Sequence, residues 1–531
     1  MIQPFQLNRL FKVRHSKFVF ISILYLISGG LLVPFYRYQI SPDSTSYISI
    51  AQKYLSGDFY HAVNGIWAPL YSWLLMPWIV FGMEPLLASV ILTVIFGWLI
   101  LVSVHRLLKN FEFSADIHYL ILIALIPVIL SFAFSDSPAD FFVIFFLILY
   151  FDQILDKKFA SSKTNGLLCG VFGSLAYFSK AFALPFFLAH FTLCCLIYFI
   201  KAKQITLRKN ILRHLLMGLF TCFVISGVWI AIISVKYHHF TISTAGRFNY
   251  LAAGPESKSK GGPFYYEGLF PPSNETATSG WEDPTYHEIP VWSPFASRHE
   301  FKHQVQLLLK NVKKTLAIFN SFSRISTFIL LFWVVVAIIP LGQKFNKDAI
   351  WFALISMIVY CAGYVLMVVE ARYLWINCIL LLLMAGYLLN LLFKRWQLKQ
   401  YQKYILIVFI MGTFMYPASK YLIRNIDTKK QVYLLSQKLK NEFQVHGNLA
   451  ANKHHSSLYL AYHLRAKYFG RVRENISDRE LEVELSKYEI DYFLVWGGAD
   501  YHVDFFRQFE EVTNHSIRGL KIYSLKKNKK S

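Results

Sequence analysis

The stretch at 40–71 places an acid, Asp43, a few residues beyond the first long apolar run. A carboxylate at a membrane face could take a proton from an acceptor hydroxyl, the work of a general base. The same residue could instead cap the helix that follows, since a short oxygen-bearing side chain accepts from free first-turn amides; Ser41 could do so too. Three cations, Lys180, Arg372 and Arg37, stand at ends of apolar runs on the side where the positive-inside rule does not ask for them. Such groups could bind a lipid phosphate and stabilise it as it leaves. The plainer readings are snorkelling, or a structural pair such as Glu370 with Arg372. Asp136 and Asp140 lie in the turn SDSPAD. Asp136 could be a second acid, whereas Asp140 reads better as a complement to a helix dipole. Tyr47, Asp58, His61 and Tyr373 flank these groups and could touch substrate, although Asp58 and His61 also suit a solvated loop. The pairs His238–His239 and His454–His455 have no carboxylate or cysteine at ligand spacing, so no metal and no other cofactor is inferred.

The elements that must position these residues follow from spacing. Tyr47, Ile50, Ala51, Tyr54 and Leu55 recur every three or four residues, which predicts a helix able to lie flat on a membrane face. Gly57 ends it.

The chain has 531 residues, 55% of them hydrophobic and 16% charged, against about 25% charged in ordinary soluble chains. The apolar residues come in runs of roughly 18 to 25, the length that crosses about 30 Å of hydrocarbon. The net charge of +23 would suit nucleic acid in a soluble protein. Here the basic residues fall in short loops, where they set orientation, and nucleic acid is not implied. All six cysteines lie inside apolar runs, which supports neither disulfides nor structural zinc. The first run lacks a small-residue cleavage site and reads as an anchor.

Taken in order, eleven spans are expected, near 18–36, 84–108, 117–134, a fourth ending at Asp156, then 165–178, 182–200, 215–235, 323–341, 349–369, 374–393 and 404–422. Arg9, Lys12, Arg14 and Lys17 put the N-terminus in the cytoplasm, and the later basic clusters, Lys344 and Lys347 among them, then fall on the inner side. The first outer loop covers 37–83, within which 68–81 is apolar but broken by Pro69 and Pro77 and reads as interfacial or re-entrant. A large outer loop covers 236–321 and ends in an amphipathic, interfacial helix at 299–319. Residues 1–423 thus form a polytopic all-α membrane domain. Residues 424–531 turn soluble and lie outside: strands near 448–451, 468–472, 491–496, 512 and 521–525, the third ending at Gly497-Gly498, with helices at 454–464, 478–487 and 500–509, predict a small α/β domain. No GxGxxG or P-loop marks a nucleotide site.

The loop SPDSTSYISIAQKYLSGDFYH, with WAPLYSWLLMPWIVFG after it, resembles the first-loop signature of the glycosyltransferase C superfamily, in the branch of protein O-mannosyltransferases and lipid A aminoarabinose transferases. In this resemblance Asp43 matches the essential loop acid. GLLCGVFGSLAYFSKAFALPFFLA resembles the family's glycine-containing span followed by a lysine, at Lys180, and EARYLWINCILLLL its Arg-Tyr span start, at Arg372 and Tyr373. Two departures stand out: the usual Asp-Glu is Asp43-Ser44 here, and Lys-Pro-Pro is replaced by Trp67-Ala68-Pro69. The sugar and the acceptor are therefore not carried over.

The resemblance implies a membrane glycosyltransferase that moves a sugar from a polyprenyl-phosphate donor to a lipid, glycan or protein acceptor on the outer face of a bacterial-type plasma membrane. It implies inversion, with Asp43 as base and Arg372, Lys180 and Arg37 at the lipid phosphate. The competing readings are an O-antigen-type polymerase or ligase, a transporter, and a non-catalytic scaffold. The first lacks an early acid followed by a flat helix. Transporters usually show paired repeats and mid-membrane charges, and this chain shows no repeat and few such charges.

Overall fold

Hydrocarbon offers the backbone no hydrogen-bond partner, so apolar runs that cross it must satisfy their own amides and carbonyls as helices. The computed structural model describes residues 4–135, 137–256, 267–287, 289–339, 347–497 and 501–526. The expectations for Asp136, Lys344, Gly498 and the start of the 500–509 helix fall outside these residues.

The helices through the first half are α1 (Pro4–Tyr36), α2 (Pro42–Ser56), α3 (Phe59–Ala62), α4 (Leu70–Val80), α5 (Pro85–Leu107), α6 (Ala115–Ala133), α7 (Pro138–Ile154), α8 (Asn165–Ser179), α9 (Ala183–Lys201) and α10 (Ile205–Lys236). They are followed by α11 (Thr244–Ala252), α12 (Arg298–Phe322), α13 (Ser326–Ile338), α14 (Lys347–Val365), α15 (Trp375–Arg395) and α16 (Gln400–Arg424). The last are α17 (Lys430–Glu442), α18 (His454–Leu464), α19 (Asp478–Lys487) and α20 (Val503–Phe506). Six strands accompany them: β1 (Gly268–Leu269), β2 (Asn448–Ala451), β3 (Lys467–Arg471), β4 (Tyr492–Trp496), β5 (Glu510–Glu511) and β6 (Leu520–Ser524). The chain divides into two compact units: 1–37, 89–242 and 302–426 form one, and 38–88, 243–301 and 427–531 the other.

In the first unit every expected span is helical. Among the described residues seven helices are long and apolar enough to cross a membrane, and α12 with α13 makes an eighth if the bent pair counts as one span. The others are shorter. Helix α8 has 15 residues, and at ~1.5 Å per residue it reaches ~22 Å, less than the ~30 Å hydrocarbon layer. The break between α12 and α13 turns the chain by 106°, which suits a surface helix leading into a span. Helix α12 leaves Val305, Leu309, Val312 and Leu316 exposed in one row. Small residues let helices approach: a Cβ at Gly170 on α8 would lie 2.4 Å from the Gly218 carbonyl oxygen on α10, the close backbone packing typical of membrane bundles. Some buried polar groups are paired across helices. His190 on α9 is hydrogen-bonded to the Tyr150 hydroxyl on α7 at 2.7 Å and to Ser356 on α14 at 2.9 Å.

The second unit is built from three separated segments. Its sheet has the order β1-β3-β2-β4-β6-β5, parallel at β3-β2-β4 and antiparallel at the other pairs. Strand β1 comes from the large loop, a contribution the sequence did not announce, and Glu267 beside it pairs with Arg471 on β3 at 2.6 Å. Leu269, Phe469, Leu481, Phe493, Val495 and Phe506 are central to one apolar cluster on this sheet. The 500–509 helix is reduced to the single turn α20 among the described residues, with Phe505 and Phe506 in that cluster.

Burial lowers the pKa of His463 to about 4 and of His454, with help from His455 and Arg471, to about 3. Both lie below the ordinary histidine value of about 6.5, so the folded unit binds fewer protons than the unfolded chain. Their stabilisation is complete above pH ~6.5 and is lost as pH falls toward those values. The expected outcome is a chemical-denaturation midpoint that drops between pH 6.5 and 4, with a shallower drop in His463→Asn; a pH-independent midpoint would contradict it.

Candidate active site

The residues singled out in the sequence fall into two clusters, one in each unit. In the second unit α2 begins with the cap itself. Ser41 is the N-cap, its hydroxyl accepting from the Ser44 amide at 3.0 Å while the Ser44 hydroxyl takes the Ser41 amide at 2.7 Å. Capping therefore does not occupy Asp43, which sits in the first turn. Its Oδ1 accepts from the Trp281 indole N–H at 3.2 Å. Trp281 belongs to the large loop, in a short 3-10 turn at Gly280–Glu282.

The next residue fixes that turn. Glu282 makes an ion pair with Lys53 of α2 at 2.7 Å, and the two side chains are 3% and 2% exposed. Lys53 also donates to the Ser49 hydroxyl at 2.7 Å. The Glu282 carbonyl accepts from Asn64 at 2.8 Å and from the Trp67 indole at 2.9 Å, and its carboxylate accepts from Asn274 at 3.1 Å. Helix α2 is consequently covered on its polar side as well as its apolar one: Ser44, Thr45, Ser46, Ser49 and Lys53 are all buried. The Thr45 and Ser46 hydroxyls donate back to the Pro42 carbonyl at 2.7 and 3.1 Å. A one-sided stripe suggested a helix flat on a membrane, and the loop that covers its other face has no signature in the sequence.

Tyr47 is buried, edge-on to Trp67 and Tyr71 at 5.2 and 5.0 Å between ring centres. Asp58 caps α3, taking the His61 amide at 3.3 Å and its ring nitrogen at 2.9 Å. The small burial of Asp58 raises its pKa, but these bonds and the charges of His61 and Lys53 outweigh that and hold it below its ordinary value.

The second cluster lies in the first unit. Asp140, in the first turn of α7, is 7% exposed and pairs with Lys180, the residue that terminates α8. Its other oxygen lies 3.7 Å from the Arg372 guanidinium, just before α15. Arg372 is also bound by Glu370 at 2.6 Å and donates to the Ser137 hydroxyl at 2.7 Å. The Lys180 ammonium lies 3.8 Å from the centre of the Tyr373 ring, a cation–π contact. The structure thus brings Lys180, Arg372 and Tyr373 together, and Asp140, read from the sequence only as a dipole complement, joins them. Arg37 is exposed in the turn after α1, and Asp136 lies outside the described residues. Among the described residues no group of three or more His, Cys, Asp or Glu stands close enough to hold a metal ion.

An all-helical membrane unit, an acid in the loop after its first helix and a small sheet domain make up the fold, and solved structures share it. The chain is similar to ArnT from Cupriavidus metallidurans bound to undecaprenyl phosphate, with TM-score 0.54 and 12% identity over 96% of this chain and 97% of that one. It is also similar to the archaeal oligosaccharyltransferase AglB from Archaeoglobus fulgidus in complex with an inhibitory peptide and a dolichol-phosphate, with TM-score 0.50 and 9% identity over 90% of this chain and 69% of that one. At these identities the likeness is one of fold. No family model and no curated protein sequence matches the chain. The chain is an integral membrane protein.

Removing one partner of a buried ion pair leaves an uncompensated charge and costs ~3–5 kcal/mol, whereas replacing both with apolar residues of similar volume costs far less. Lys53→Met is therefore expected to lower unfolding stability by that amount, and Lys53→Met/Glu282→Met to regain most of it. Denaturant titration in detergent measures both; equal loss in the single and double variants would show that the pair does not act as one unit.

Proposed function

We propose that the protein transfers a sugar from a polyprenyl-phosphate donor to an acceptor at the extracytoplasmic face of a bacterial-type plasma membrane. The observation that carries this reading is the Asp43 carboxylate, placed in the first turn of α2 behind the Ser41 cap and held by Trp281, within the glycosyltransferase C fold. Both fold neighbours carry a polyprenyl-type phosphate in their structures, which supports a lipid-linked donor. On this reading the N-terminus is cytoplasmic and residues 424–531 form an extracytoplasmic domain.

Asp43 takes the proton from the acceptor hydroxyl as that oxygen attacks the anomeric carbon from the face opposite the phosphate. The bond between the anomeric carbon and the phosphate oxygen breaks, its electron pair leaves with the polyprenyl phosphate, and the configuration inverts. Lys180 and Arg372, with Arg37, stabilise the departing phosphate by charge-assisted hydrogen bonds. Asp140 presets the two paired cations, since a site works when its first contacts are locked by neighbours. Tyr373 supports Lys180. Residues of the 236–321 loop select the acceptor, which is a lipid, a glycan or a protein.

Incubating purified protein with a panel of polyprenyl-phosphate sugars and measuring free lipid phosphate tests this. Loss of a general base lowers rate by roughly 10²–10⁴-fold, so Asp43→Asn is expected to fall that far. Arg372→Gln is expected to lose activity while retaining helix content. Full activity in Asp43→Asn would overturn the assignment and favour a polymerase or ligase without this base.

A further inference from the structure

One groove lies outside all the residues assigned above. It has a volume of about 1120 Å³ and is formed where α12 bends into α13 and by one face of α16. Arg324 at the bend, and Lys420 and Arg424 on the last turns of α16, line it. Val408 and Phe409, both exposed, line it too. No described carboxylate forms an ion pair with any of the three cations. Lys420 and Arg424 could merely complement the C-terminal end of α16, but Arg324 belongs to another element and converges on the same groove. The corner is built rather than loose: the Ser323 hydroxyl, fully buried, is hydrogen-bonded to Thr413 of α16 at 2.7 Å. Asn320 accepts from the Thr327 amide and hydroxyl at 3.2 and 2.9 Å, holding the two sides of the bend together.

We propose that this groove binds an anionic phospholipid of the surrounding bilayer, with its phosphate among Arg324, Lys420 and Arg424 and an acyl chain along Tyr416, Phe409 and Val408. Three clustered cations beside an apolar floor match a ligand with a charged head and a hydrocarbon tail. The dimensions agree. From Lys420 to Phe409 the helix rises ~17 Å at ~1.5 Å per residue, close to the ~15 Å of one leaflet's hydrocarbon. The site is separate from the Lys180–Arg372 cluster and serves lipid attachment at the α12–α13 corner, not the transfer step.

The test reconstitutes the full chain in phosphatidylcholine vesicles containing phosphatidylglycerol, re-extracts it in mild detergent, and counts retained lipids by native mass spectrometry. Wild type is expected to retain phosphatidylglycerol over phosphatidylcholine. Each of Arg324→Gln, Lys420→Gln and Arg424→Gln is expected to lower that retention about fivefold, the effect of one basic residue near an anionic lipid. Lys313→Gln/Lys314→Gln, on the exposed face of α12, removes twice the charge of any single groove variant, outside the groove, and is expected to leave retention unchanged. Equal retention of the two lipids by wild type, or equal losses in the groove and control variants, would overturn the proposal. So would displacement of phosphatidylglycerol by one equivalent of undecaprenyl phosphate, which would make the groove a donor site. The single variants alter exposed side chains, and the readout does not depend on transferase activity.

Discussion

The ion pair between Lys53 and Glu282 is the contact on which the candidate base depends. Both charges are out of water, a costly arrangement unless hydrogen bonds satisfy what remains. Ser49 serves the ammonium, Asn274 serves the same carboxylate oxygen, Oε1, that meets the ammonium, and Asn64 and Trp67 tie down the adjoining carbonyl. The result fixes the register between α2 and a loop more than two hundred residues later. Trp281 precedes Glu282 directly, so the pair also determines where the indole meets Asp43. A polar anchor of this kind allows one alignment, whereas an apolar contact would allow several.

The second cluster shows the same economy in the other unit. Lys180 ends α8 because its backbone is extended, and Arg372 sits in a tight turn before α15. Asp140 touches both. With Glu370 included, two cations face two carboxylates. Such a group is electrically balanced within itself, and its cations are held in place by the carboxylates. Orientation, rather than excess charge, is what it supplies.

The membrane part follows from a simpler rule. Its helices satisfy their own backbones, and they close together where glycine removes the side chain, as at Gly170 against Gly218. The sharp turn between α12 and α13 joins the two helices through a fixed corner, and the groove lies against it.

The sequence by itself determined the eleven apolar helices, the surface helix before α13 and most of the C-terminal α/β elements, because hydrophobic period and length act locally. It also pointed to Asp43, Lys180 and Arg372, since charged residues at the ends of apolar runs are conspicuous. Other features were decided only by tertiary structure. Nothing around Glu267, Trp281 or Glu282 signals that the large loop lends a strand to the C-terminal sheet and a partner to α2. Nothing in SDSPAD shows that Asp140 will find two cations from distant helices. Local pattern records which face of a segment avoids water. Pairing between segments far apart depends on which buried charge meets which, and that is settled only when the chain has folded.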